Sequence, residues 1–260
     1  MKYFKNINRN RIDLLWQLIK TNFQMRYYNS VLGILWVLIK PYSTFIVQYV
    51  VWSHFAGSNI PKYALYLLMG VIIYTYFNEL IVFGQLGLLD KAHIILKVNF
   101  PRQIAIVSSL SNALVNLMIN MFFVFIIAAL SGDDVSIQGI VYIIFLAILV
   151  FVFALGVSFF LSIITVRFRD FKNIIELGLF LLYWATPVFY VVDHSLTGKV
   201  ADVVKANPLG IVINQFRAAL DVYAQPDYKL MIVYFIACLL LCIAGWFYFQ
   251  SHVKKIAEYF

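Results

Sequence analysis

Charge is scarce in this 260-residue chain: 12% of its residues are Asp, Glu, Lys or Arg, about half the share of a soluble domain. Hydrophobic residues reach 63% and aromatic ones 18%, against about 45–50% apolar in soluble domains. No single core in water absorbs that much apolar surface, so a soluble enzyme is not expected. Long disorder is excluded by the same figures, since it needs low hydrophobicity and high charge. Cys238 and Cys242 are the only cysteines. They sit inside one apolar run and say nothing of disulfides or redox compartment.

Familiar chemistry is missing too. There is no G-x-x-x-x-G-K-[ST] phosphate loop, no H-E-x-x-H and no G-x-S-x-G, which removes that nucleotide site, a zincin and a hydrolase elbow. His54, His93, His194 and His252 are scattered, and the two cysteines lack partner ligands, so no metal site is expected. Only Glu79 and Glu176 place carboxylates in apolar runs; a proton-coupled carrier buries more ionisable groups. The residues describe a pathway whose energy source lies on another chain.

What is present is a set of six apolar runs, 31–55, 63–83, 103–130, 137–166, 174–192 and 230–250. Each is near or above the roughly 20 residues a helix needs to cross a bilayer. The fifth is interrupted by Glu176 and Pro187. The predicted fold class is therefore all-α, a single polytopic permease domain over 1–260. Net charge is +8, but the basic residues flank apolar runs instead of forming one patch, so no nucleic-acid partner is expected. Lys2, Lys5, Arg9, Arg11, Lys20, Arg26, Lys91, Lys97, Arg102, Arg167, Arg169, Lys172, Lys254 and Lys255 fall on one side. Lys62, Lys199, Lys205, Arg217 and Lys229 fall on the other, diluted by six aspartates. That bias predicts both termini in the cytoplasm.

Three segments outside the runs carry a pattern. Over 1–30 charges recur throughout, with no apolar h-region, so no cleavable signal peptide is expected. Ile12, Leu15, Trp16, Ile19 and Phe23 recur at helical spacing, which predicts an amphipathic helix either lying in the cytoplasmic interface or packing on the bundle. The cytoplasmic loop 84–102 mixes charge with apolar residues over 88–98 and ends in Phe100-Pro101-Arg102, with Pro101 placed to begin the third helix. It suits docking to a cytoplasmic partner. In the outer segment 193–229, Asn207 is positioned to cap a helix with Pro208 first. Leu209, Val212, Ile213, Phe216 and Leu220 form its apolar face beside Arg217 and Asp221. At about 20 Å such a helix cannot cross; it dips into the outer leaflet or covers the bundle's mouth.

Within the spans, Lys40 sits near mid-depth of the first run, next to Pro41. A lysine at a helix centre costs about 2.5–3.5 kcal/mol on insertion scales, so it faces protein or water. It is either an electropositive point in a translocation path or a structural, snorkelling lysine. Tyr42, Phe45, Tyr49 and Trp52 follow one stripe, and Tyr183, Trp184, Phe189 and Tyr190 crowd the outer half of the fifth run. They read as a glycan-stacking lining or as an interfacial belt.

Taken together, Arg26-Tyr27-Tyr28-Asn29-Ser30-Val31-Leu32-Gly33-Ile34-Leu35-Trp36 resembles the R-Y-x-x-S-x-L-G-x-x-W opening of ABC-2 type polysaccharide export permeases. The resemblance continues through Tyr66-Leu67-Leu68-Met69-Gly70, Lys97-Val98-Asn99-Phe100-Pro101-Arg102, Arg169-Asp170, Thr186-Pro187-Val188-Phe189-Tyr190 and Asn207-Pro208 to Arg217. Lys40-Pro41 departs from the Asn-Pro often found in the family. The resemblance implies a six-span permease in a bacterial cytoplasmic (inner) membrane, forming a homodimer with two copies of an ABC ATP-binding subunit. ATP and Mg would belong to that subunit, with no cofactor and no catalytic residue on this chain. The exported substrate implied is a lipid-linked (undecaprenyl-diphosphate) polysaccharide such as O-antigen, or else capsule or teichoic acid.

By the same resemblance, 1–30 is an interface helix, Lys97, Phe100, Pro101 and Arg102 belong to a coupling helix, and 207–221 is an outer gate. Arg26 stands at the cytoplasmic entrance, with Arg167 and Arg169 suited to the same anion and Asp170 placed to pair with one of them. Two other readings compete: a drug or small-lipid exporter of the same fold, and an intramembrane transferase. The transferase lacks a His/Asp or paired-carboxylate constellation.

Overall fold

The computed structural model describes residues 2–27, 30, 32–54, 60, 62–97, 100–131, 136–192, 198–222, 225–253 and 256, except for the side chains of 2–11, 26 and 27. Tyr28, Asn29, Val31, Val98 and Asn99 of the motifs, and the side chain of Arg26, lie outside that set. All regular structure among the described residues is helical. In hydrocarbon a helix satisfies its own backbone groups, which an open sheet does not.

In chain order the helices are α1 (Lys2–Tyr27), a 3-10 turn Gly33–Leu35 running into α2 (Trp36–Trp52), α3 (Tyr63–Leu86), α4 (Ala92–Ile95) and α5 (Gln103–Leu130). They continue with α6 (Ile137–Arg167), α7 (Phe171–Ala185), α8 (Lys199–Lys205), α9 (Pro208–Ala218) and α10 (Tyr228–His252). Five stretches are long and apolar enough to cross a membrane: Gly33–Trp52, Tyr63–Leu86, Gln103–Leu130, Ile137–Arg167 and Tyr228–His252. They match five of the predicted runs, and the chain is an all-α polytopic membrane protein.

The fifth predicted run, 174–192, has a different form. Its helix α7 has 15 residues, which rise about 22 Å, short of a ~30 Å hydrocarbon core. The cause is Pro187: it forces the preceding residue out of the helical region, and Thr186 is extended at φ −103°, ψ 136°.

Helix α3 is the centre of the bundle, buried on nearly every face and packed against α2, α5, α6, α7 and α9. Helix α10 lies along α6, and α1 lies against α5. Ser136 Oγ accepts from Gly139 N at the start of α6, and Asp227 Oδ1 accepts from Leu230 N at the start of α10. Both caps satisfy backbone donors that the first turn leaves open. On α1, Leu18 is buried and Leu15, Ile19 and Phe23 are half-buried, while Ile12 and Trp16 remain 66% and 68% exposed. The predicted apolar face thus serves both ends: part packs on the bundle and part points outward.

The opening motif has a backbone cause. Ser30 Oγ accepts from Gly33 N at 3.1 Å, and Gly33 adopts φ +46°, a left-handed conformation that favours glycine. The loop predicted to be amphipathic over 88–98 is mostly turn, with only the single-turn α4 helical, and the next helix begins at Gln103 instead of Pro101.

Candidate functional site

Breaking a helix inside a membrane frees carbonyls that lipid cannot solvate. The break after α7 frees six in succession, Ala185 to Tyr190, and each has a donor. Asn207 Nδ2 donates to Ala185 O at 3.3 Å and Val188 N to Thr186 O at 2.7 Å. Arg217 donates to Pro187 O (3.2 Å) and Val188 O (2.7 Å). Tyr63 O–H donates to Phe189 O (2.9 Å) and Tyr66 O–H to Tyr190 O (3.0 Å). Earlier in α7, Tyr74 O–H donates to Leu179 O.

Arg217 is the keystone of this cradle. It is fully buried and also donates to Tyr66 O at 3.0 Å and Asn214 Oδ1 at 2.8 Å. Its guanidinium carbon lies 3.4 Å from the Tyr66 ring centroid, where the ring's negative face attracts a cation. One side chain therefore ties α3, the break and α9 together. Gly70 makes room for it: a Cβ there would stand 2.5 Å from Arg217 Nη2 and 2.7 Å from Val188 O. Asn207 Oδ1 caps α9 by accepting from Leu209 N at 3.0 Å, as its sequence position before Pro208 predicted. Leu209, Val212, Ile213, Phe216 and Leu220 are all buried.

Next to the cradle, the two aromatic sets meet. Trp52 stacks on Phe189 at 4.8 Å, Trp184 meets the same ring edge-on at 5.6 Å, and Tyr49 stacks on Tyr63 at 6.1 Å. Gln48 Nε2 donates to Tyr183 Oη at 2.5 Å. Tyr42, Phe45 and Trp52 are half-buried, turned toward the bundle, whereas Tyr49 and Trp184 are exposed. Beside them, Lys40, Ser43, Thr44, Ile46, Val47, Val50 and Val51 of α2 are all exposed, and Thr44 Oγ1 donates to Lys40 O at 3.1 Å. Ser43, Thr44, Gln48, Val51 and Trp184 border a groove of about 590 Å³ between α2 and α7. A lysine on a membrane helix is costly in hydrocarbon and faces protein or water, and Ser43 and Thr44 share its side of α2.

On the other side of the bundle, the first turns of α5 gather three elements. Arg102 donates to Val253 O after α10, Asn22 Nδ2 on α1 donates to Ser108 O (3.2 Å), and Lys91 Nζ donates to Ala105 O (3.1 Å) and Ser109 Oγ (2.5 Å). Phe100 and Pro101 are half-buried, and Lys97 is exposed. Arg167, Arg169 and Asp170 are exposed, with the Arg167 guanidinium 5.3 Å from the Phe168 centroid. Arg217, Asn207 and Pro208 are thus brought into one assembly; Lys97, Arg167, Arg169 and Asp170 stand at the surface apart from it.

Lys91 was readable only as one more positive-inside charge, yet it is 4% exposed. Burial lowers its pKa from 10.5 to about 8, with Asp90 opposing the shift. Since the folded pKa lies below the unfolded one, the unfolded chain holds more protons between the two values. Stability from this residue rises with pH across that window, by at most about 3 kcal/mol. In detergent, the parent protein's melting temperature is expected to rise relative to that of Lys91→Met from about pH 7.5 to 10. A constant or falling difference contradicts a buried ammonium.

Tyr63, Tyr66 and Tyr74 were missed as donors because an aromatic stripe reads as apolar. Tyrosines recurring on one face opposite a proline-broken run are the signal that would have found them.

A family model described as ABC-2 type transporter matches residues 13–220. Two proteins of Klebsiella pneumoniae, each named O-antigen export system permease protein RfbA, are 24% and 25% identical over 246 residues, covering 95% of this chain and 94% of theirs. A protein of Myxococcus xanthus with the same name is 23% identical, covering 94% of each chain.

Proposed function

This chain belongs to the ABC-2 type transporter family, and from that premise we propose that it is the membrane-spanning permease subunit of an ATP-driven exporter of a lipid-linked polysaccharide such as O-antigen. The observation that carries the reading is the near end-to-end likeness to the O-antigen export permeases. The chain is a transport subunit, and in this family the ATPase is a separate one. An ATP-binding partner and a membrane-borne substrate follow from the family.

The chain works as a homodimer with two ATP-binding subunits, in the bacterial cytoplasmic membrane, with both termini inside. Two copies of the Lys40–Ser43–Thr44 face and the groove beside Trp184 would together border the path of the polymer. A glycan suits that border, since hydroxyls bond to its polar groups and Tyr49 and Trp184 offer stacking faces. The cradle held by Arg217 fixes α9 across the outer end. The cytoplasmic hub, with Arg102 and Phe100-Pro101, receives the ATPase. Arg26 remains the proposed entrance contact for a diphosphate. Reconstituted with its ATP-binding partner, the chain should support ATP hydrolysis that the purified permease alone lacks. Steady hydrolysis by the permease free of any partner contradicts the assignment.

A further inference from the structure

A second cavity has no part in that path. It holds about 410 Å³ between α7 and α10 and is walled by α3, α6 and α9 as well. Phe77, Phe153, Leu182, Leu209, Val212 and Cys238 are among its lining. The polar side chains there are Asn207 and Tyr234. The Asn207 amide is already engaged by Leu209 N, Ala185 O and Thr186 Oγ1. Water needs two to four polar partners to settle in a cavity, and this lining does not supply them. A dry void of that size forfeits dispersion contacts on every wall.

The exposed residues of its lining are Ala237 on α10 and Pro208 at the start of α9, so the cavity opens between them. Around that mouth α10 presents Ile232, Val233, Ile236, Leu239 and Leu240 to the outside, all exposed. In an integral membrane protein such a face is covered by lipid, and the cavity continues it inward through a lining that is apolar except for Asn207 and Tyr234. Whatever covers α10 is therefore what enters.

We propose that the acyl chain of a bilayer phospholipid occupies this cleft and packs against Leu209 and Val212 of α9. The outer helix is then held from one side by the Arg217 cradle and from the other by the membrane itself. This lipid site stands independently of what the transporter carries.

The test uses the full chain in nanodiscs of phosphatidylglycerol carrying a diazirine in one acyl chain. After irradiation, adducts are mapped by mass spectrometry. Adducts are expected on Val150, Phe153, Val212 or Cys238 inside the cleft, as well as on outward Ile232, Val233 and Leu240. Ala237→Trp, which fills the mouth, should lower the cleft adducts at least fivefold and leave the outward ones unchanged. Leu241→Trp serves if the first variant is not monodisperse. Labelling confined to the outward residues overturns the proposal, as does cleft labelling that neither variant reduces. Displacement of the cleft adducts by a small mole fraction of a polyprenyl phosphate assigns the cleft to an isoprenoid and also overturns it.

Discussion

Replacing Arg217 by alanine is expected to remove most of the monodisperse protein recoverable in detergent. The change orphans the carbonyls of Pro187 and Val188 and removes the extra bond to Tyr66 O inside α3. Each buried acceptor left without a partner costs roughly 1–3 kcal/mol, and a desolvated cation–π contact adds about 2. The sum is of the order of the whole stability of many folded proteins, about 5–15 kcal/mol. Arg217→Lys should lose less, because an ammonium keeps the charge and reaches one or two of the acceptors but cannot span them all in one plane. Size-exclusion profiles and melting temperatures of the two variants measure this. An alanine variant with the parent's yield and melting temperature would mean that the cradle is not what holds the break.

Lys40→Met is expected to lower export at least about tenfold, a change of about 1.4 kcal/mol in the barrier, while assembly and yield hold steady or improve. The asymmetry follows from the position. Lys40 is exposed on a helix that is otherwise long and apolar enough to span, and it shares its face with Ser43 and Thr44. If that face borders the polymer's path, methionine removes a cation from the path. If it met lipid, methionine would remove only an insertion cost of about 2.5–3.5 kcal/mol, and export would be unchanged with a higher yield. Surface polysaccharide measured per unit of membrane-inserted protein separates the two.

These two residues show how far the sequence could be read. The five long spans were legible because each apolar run exceeds what a bilayer requires and is bounded by charge or glycine. The cap at Asn207 and the apolar face of α9 were legible because both depend on neighbours a few positions away. The fifth run was read as a span interrupted by Glu176 and Pro187; composition counts Pro187 as one residue among nineteen, while geometry makes it a stop. The cradle was illegible for a different reason: Arg217 finds its backbone acceptors at 66, 187 and 188, so no spacing along the chain announces it. Lys91 shows the converse, a charge that position assigned to the surface and that α5 buries. Aromatic residues misled in a subtler way. Tyr63 and Tyr66 act through their hydroxyls, and Tyr42, Phe45 and Trp52 of the α2 stripe turn inward while Tyr49 stays exposed.

A conduit driven by nucleotide hydrolysis on another subunit can be tested by transport in proteoliposomes holding the permease and its ATP-binding partner, with a lipid-linked polysaccharide on the side where ATP is added. The glycan should become accessible to a glycosidase on the opposite side only when both proteins and ATP are present. Movement of the polymer by the permease alone, or by the pair without hydrolysable nucleotide, would contradict it.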